Sequence, residues 1–187
     1  IKGLPAVKNN FITFGSTNKL SKINDDVIAL WSKILLSIPN SKLLIKNRNL
    51  DNQKVIESIF LRFKKQNINK NRLILRGESS TRKELFEVYN EIDIALDTFP
   101  FQGCTCTCEA VWMGVPVIIL KGNRYLTHFG ESINSNLGMN DWIAKSCDEY
   151  ISKAIKFSSN LEALSKIRMN LRKKALQSPV CDATRFT

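Results

Sequence analysis

The residues best suited to chemistry lie between Asp93 and Gly122. An apolar run (Ile92, Ile94, Ala95, Leu96) stops at Asp97, and a loop carrying Pro100 and Gly103 follows. The loop delivers Cys104-Thr105-Cys106-Thr107-Cys108 into a helical segment bearing Glu109, and a second apolar run, Pro116 to Leu120, comes next. Strand, small-residue loop, helix start and strand is how an α/β protein forms a phosphate site, because free N–H groups and the positive end of the helix dipole face outward there. Gly103 has no β-carbon, so its backbone can approach a phosphate. The amides of Cys104, Thr105 and Cys106 then point from the helix start, and the Thr105 hydroxyl adds a donor. A carboxylate at Glu109 can accept hydrogen bonds from the paired hydroxyls of a ribose. The competing readings are a Thr105 that only caps its own helix and a Glu109 that is only an exposed helix glutamate.

The elements that must hold this segment are legible from periodicity and punctuation. Phe11 to Gly15 reads as a buried strand ending in the turn Ser16-Thr17-Asn18. Asn24 is an expected N-cap with Asp25 and Asp26 in the first turn, and Val27, Leu30, Trp31, Ile34 and Leu35 recur at helical spacing. Strands are expected at 43–45, 73–75, 92–96 and 116–120. Helices are expected over 51–66, after the Thr81-Arg82-Lys83-Glu84 capping box, and over 125–135, 147–158 and 161–176. Such alternation with nearly all-apolar strands predicts a parallel sheet covered on both faces, binding ligands beyond the carboxyl ends of its strands.

Length and composition narrow the function. The chain has 187 residues, 43% hydrophobic and 24% charged, which fits one domain. Its first residue is Ile1 rather than Met, which predicts a piece of a longer protein. No run approaches a membrane span and the N-terminus lacks the pattern of a signal peptide. The net charge of +11 is spread over many separate lysines and arginines without interleaved aromatics. A solvated basic surface plus a diphosphate pocket therefore accounts for it better than a nucleic-acid interface. Five cysteines, an odd number, predict reduced thiols and a cytoplasmic protein. Cys104, Cys106 and Cys108 would share a face only on a strand, and entering a helix they splay apart, so no metal site is expected. His128 has no acidic partner evident in sequence and reads as a surface or core histidine, and Trp31, Trp112 and Trp142 read as core or interlobe anchors.

The segments LDTFP and GCTCTCEAVWMGVPVI resemble the donor-binding stretch of the O-linked N-acetylglucosamine transferases and their SPINDLY-type protein glycosyltransferase relatives. The resemblance continues through Lys19-Leu20-Ser21-Lys22-Ile23, Ile38-Pro39-Asn40-Ser41, Asn136-Leu137-Gly138 and Ser178-Pro179, and spans Phe11 to Phe186. It implies the Rossmann-like, C-terminal half of a two-lobed glycosyltransferase of the B type, with residues 1–10 a lead-in from an N-terminal lobe and 11–187 the donor-nucleotide lobe. Helical repeats usually precede such lobes. The implied reaction is inverting and needs neither metal nor cofactor: a sugar, GlcNAc by this resemblance, passes from a UDP-sugar to Ser or Thr of a protein held by the other lobe.

By the same resemblance Lys22 stabilises the charge growing on the leaving diphosphate, Asn18 and Lys19 touch the pyrophosphate, Gly103 to Cys106 cradle it, and Glu109 holds the ribose. Cys106 replaces the usual threonine and Asp25 a frequent proline. Leu85 stands where many members carry a histidine beside the base, which leaves UDP-glucose or GDP-fucose open as the donor. A non-catalytic interaction scaffold and a basic nucleic-acid module are the readings from other classes.

Overall fold

The computed structural model describes residues 1–182 and Thr184. Six parallel strands form one sheet in the order β3-β2-β1-β4-β5-β6, where β1 is Ile12–Ser16, β2 Ser41–Lys46, β3 Leu73–Arg76, β4 Ile94–Leu96, β5 Val117–Leu120 and β6 Ile143–Ala144. This is the doubly wound arrangement, and its strand order reverses between β1 and β4. In register, Phe14 lies opposite Leu43 on one side and Ile94 on the other. The central strands are buried along their whole length, as a sheet covered on both faces requires.

Among the described residues eight α-helices cover the faces: α1 Pro5–Asn9, α2 Asp25–Ser37, α3 Gln53–Lys64, α4 Arg82–Val88, α5 Thr105–Trp112, α6 Phe129–Asn136, α7 Cys147–Ser158 and α8 Leu161–Leu176. Local sequence sets their starts. Asn24, Asn52, Thr81, Ser146 and Asn160 each accept a backbone N–H with the side chain at an N-cap. Trp31, Phe14, Phe63 and Tyr150 are fully enclosed in a continuous core.

Three expectations are corrected. Residues 125–135 are not one helix: a 3-10 turn, Tyr125–Thr127, is closed by mutual Arg124–Thr127 hydrogen bonds, and α6 starts only at Phe129. The capping box is half formed, because Thr81 accepts the Glu84 N–H but Glu84 turns to the Ser80 N–H instead of that of Thr81. The short α1 and the two-residue β6 escape a reading based on periodicity. The resemblance runs on to Phe186, which lies outside the described residues.

Residues 5–9 pack beneath the sheet, not away from it. The Asp93 carboxylate accepts the Ala6 and Thr13 N–H groups at 2.9 and 2.8 Å. Buried Arg168 of α8 donates to the carbonyls of Lys2, Tyr89 and Ile92.

Candidate functional site

The loop between β4 and α5 leaves the sheet at its switch point and is built around Asp97. This carboxylate is buried, and its Oδ1 accepts the N–H groups of Thr98 (2.8 Å) and Gly103 (2.8 Å) and the Asn18 amide (3.1 Å). Oδ2 has no partner. Burial outweighs those hydrogen bonds and pushes the carboxyl up to about 7, although the Lys22 charge pulls the other way. The Tyr150 hydroxyl donates to the Asp97 carbonyl from α7.

Gln102, also buried, ties the same loop to its neighbours: its Nε2 donates to the Leu120 carbonyl (2.7 Å) and its Oε1 accepts the Gly130 N–H (2.8 Å). Neither residue's role was read from the sequence, because Asn18 lies 79 positions from Asp97, and Leu120 and Gly130 lie 18 and 28 positions from Gln102.

Gly103 sits inside this knot. A β-carbon there would lie 3.0 Å from Asn18 Oδ1, Asp97 Oδ1 and Thr107 Oγ1 alike. Its small size therefore serves packing against buried polar atoms first. Asn18 is likewise buried and turns its amide inward to Asp97 and Ser16.

At Cys104 and Thr105 the chain faces outward. Cys104 holds the N-cap position of α5, no side chain caps the first turn, and Cys104 and Thr105 are exposed. The first-turn amides are thus presented at the surface. Thr105 does not occupy the N-cap position, which removes the helix-cap reading of its hydroxyl. The Cys106 thiol, pushed up in pKa by burial, points to the Thr17 carbonyl at 3.4 Å.

Lys22 comes to this loop from the 3-10 turn after β1. Its Nζ donates to the Gln102 carbonyl (2.8 Å) and lies 3.8 Å from the centre of the Phe101 ring. Glu109, half-buried, accepts from the Tyr89 hydroxyl at 3.1 Å. The phenol has one proton and burial raises its pKa, so it remains a donor. The carboxylate is a nearer and stronger acceptor than the Cys106 carbonyl at 3.4 Å, and Thr17 Oγ1 is 2.8 Å away to donate in turn. The second carboxylate oxygen of Glu109 remains available beside the cleft.

Two adjoining cavities lie along the carboxyl edge. One, of about 740 Å3, is lined by Asn18, Lys22, Phe101, Cys104, Thr105 and Cys106. The other, of about 810 Å3, is lined by Glu109, Leu85, Lys46, Arg48 and the segment Glu78 to Arg82. Lys19 and Ser21 border both. The expected donor residues are thus brought to one cleft, except Gly103, which lies beneath it. Lys19, Lys46, Arg48 and Arg82 against Glu78 and Glu109 leave the larger cavity with an excess of positive charge, which draws an anionic ligand toward the cleft.

His128 lies apart from these contacts. The expectation that it lacks an acidic partner is corrected: at the start of α6 its Nδ1 is 2.6 Å from Glu131, one turn on, which also binds Lys121 at 2.6 Å. Trp31 and Trp142 are buried, the latter stacked on Phe157, while Trp112 is 40% exposed beneath Arg172. All five cysteines are free. Among the described residues no group of three His, Cys, Asp or Glu is placed to hold a metal, and no helix is long and apolar enough to cross a membrane.

A family model described as glycosyl transferase family 41 matches residues 3–187. Among curated proteins, the probable UDP-N-acetylglucosamine–peptide N-acetylglucosaminyltransferases SPINDLY of Hordeum vulgare and Oryza sativa are each 36% identical over 183 residues. The alignments cover 98% of this chain but only 19% and 20% of those proteins, so the chain spans about a fifth of their length. Among solved structures, a mutant O-GlcNAc transferase of Thermobaculum terrenum superposes with a TM-score of 0.87 at 32% identity, over 94% of this chain and 33% of that one. TarM of S. aureus, solved with UDP among its ligands, superposes at 0.66 with 14% identity, over 95% of this chain and 34% of that one, a likeness of fold alone.

Proposed function

Since this chain belongs to glycosyl transferase family 41, we propose that it is the donor-binding lobe of an inverting, metal-independent protein O-glycosyltransferase. Its donor is a UDP-sugar, with N-acetylglucosamine the sugar and Ser or Thr hydroxyls of a protein the acceptor. The observation that carries this reading is the order of groups along one cleft. Lys22 and the open first turn of α5 border one cavity, Glu109 and Leu85 the next, and Lys19 bridges them.

The diphosphate fits at the α5 start, where backbone N–H groups and dipole favour an anion. Lys22 then has to move little from the Gln102 carbonyl to neutralise the leaving nucleoside diphosphate, a contribution of about 3–4 kcal/mol at a well-organised site. Glu109, oriented by Tyr89, takes the ribose hydroxyls. The lobe by itself binds the donor without turnover, because the acceptor is held by the rest of the protein. Leu85 offers the base only apolar contact, which leaves UDP-glucose or GDP-fucose open as the donor on the same fold.

Thermal unfolding in the presence of UDP, GDP, UMP and a UDP-sugar tests this. A ligand at about 100 times its dissociation constant adds roughly 2.7 kcal/mol, or about 5–10 °C for a chain of this size. The expected result is a UDP-selective rise that Glu109→Ala abolishes. A GDP-selective rise moves the donor and keeps the lobe. No rise with any nucleotide, repeated in the longer protein, refutes donor binding.

A further inference from the structure

Of the cations lining the larger cavity, Lys19, Arg48 and Arg82 are exposed, whereas Lys46, the last residue of β2, is only 5% exposed. Burial lowers its pKa, while the charges of Asp51, Glu78 and Glu84 act in the opposite direction. An ammonium group has three N–H donors, and the Gly77 carbonyl takes one of them. A buried cation at a cavity wall with donors to spare is poised for an acceptor that arrives with a ligand.

Two backbone donors of this wall are already taken. The Glu78 N–H is already bonded to Asp51 Oδ2 and the Ser80 N–H to Glu84 Oε2, each at 2.9 Å. Lys46 is thus the buried side-chain donor left on the wall.

The polarity of the cleft says what would meet it. In a nucleotide the base and the 5′-phosphates leave the ribose on opposite sides. With phosphates at the α5 start and ribose hydroxyls at Glu109, the base extends toward Leu85 and Lys46. Leu85 supplies an apolar surface against the ring, and Lys46 reaches the ring edge. Resting on the donor-lobe reading above, we infer that Lys46 is a specificity-determining residue that donates to a ring carbonyl, O4 of uracil or O6 of guanine. It thereby rejects cytosine and adenine, whose amino groups would set N–H against N–H.

Titration of the chain with UDP, GDP, CDP and ADP tests this, since the four share ribose and diphosphate. UDP should bind more tightly than CDP, or GDP more tightly than ADP, by at least about tenfold, the scale of one hydrogen bond to a charged group. Which pair shows the gap identifies the base. Lys46→Met should erase the gap while leaving CDP and ADP affinities as they were, and Lys46→Arg should keep part of it. If Lys46→Met shows no cooperative unfolding, Lys46→Gln replaces it, with loss of most of the gap expected.

Equal binding of all four nucleotides by the unaltered chain overturns the inference. So does a variant that weakens all four alike, which would make Lys46 only a clamp on Gly77. Failure of the donor reading itself looks different: no nucleotide binds the unaltered chain, and Glu109→Ala changes nothing.

Discussion

Alanine at position 103 would bring a methyl carbon to 3.0 Å from Asn18 Oδ1, Asp97 Oδ1 and Thr107 Oγ1 at once. All three residues are buried, and Asn18 and Asp97 are bonded to each other, so none can swing aside. Gly103→Ala should therefore lower stability by about 1–3 kcal/mol, the usual cost of overpacking, and weaken nucleotide binding because the amide held by Asp97 shifts. Thr105→Ala, two residues on and exposed, should stay within about 0.5 kcal/mol of the unaltered chain in stability. Denaturant midpoints and UDP titrations of the two variants check this, and equal losses would refute the knot around Asp97. The same residues show what a sequence can and cannot disclose at this scale. Gly103 was recognisable as essential, yet for a different reason than phosphate approach. Its neighbours Asn18 and Asp97 are separated by 79 positions, a pairing that no local pattern encodes.

Elements were far easier to read than contacts, because caps and periodicity are local. Asn24 announces α2 and caps it as expected, and the ranges read for α7 and α8 match the helices formed. The strands that pair centrally each hold buried apolar residues, Phe14 in β1, Leu43 to Ile45 in β2 and Ile94 to Leu96 in β4. What escaped is short or non-local: α1 with five residues, β6 with two, and the 3-10 turn that delays α6. Asn24 links element to site, since its Oδ1 caps α2 while its Nδ2 donates to the Phe99 carbonyl of the Asp97 loop. Asn24→Ala should cost about 1 kcal/mol from the lost cap alone. It should also weaken UDP binding modestly, whereas Ser146→Ala, a cap remote from the loop, should cost similar stability with no change in affinity. Urea unfolding and titration of both variants separate the two effects, and identical affinity losses would contradict the link.

For the molecule as a whole, the two buried carboxyls set a pH dependence. Burial raises Asp97 to about 7 and Asp93 to about 6, against about 3.9 for an unfolded aspartate. A folded state that holds its protons more tightly gains stability below the unfolded value and loses it as pH rises through the folded one. Stability should accordingly fall between about pH 4 and pH 7, by at most about 1.4 kcal/mol per pH unit for each group, and the melting temperature with it. Exposed Glu87 and Glu149 and the paired Glu131, shifted downward, act in the opposite sense, near pH 4. Asp97→Asn should flatten the profile above pH 6, and a slope unchanged by that substitution would rule Asp97 out as its source. Arg168 carries a last consequence for handling the molecule. It binds the Lys2 carbonyl, and Ile1 packs near Gly114, just before the amino end of β5. Anything anchored ahead of Ile1 thus departs from the underside of the sheet, so a chip or bead coupled there leaves the nucleotide cleft facing open solution.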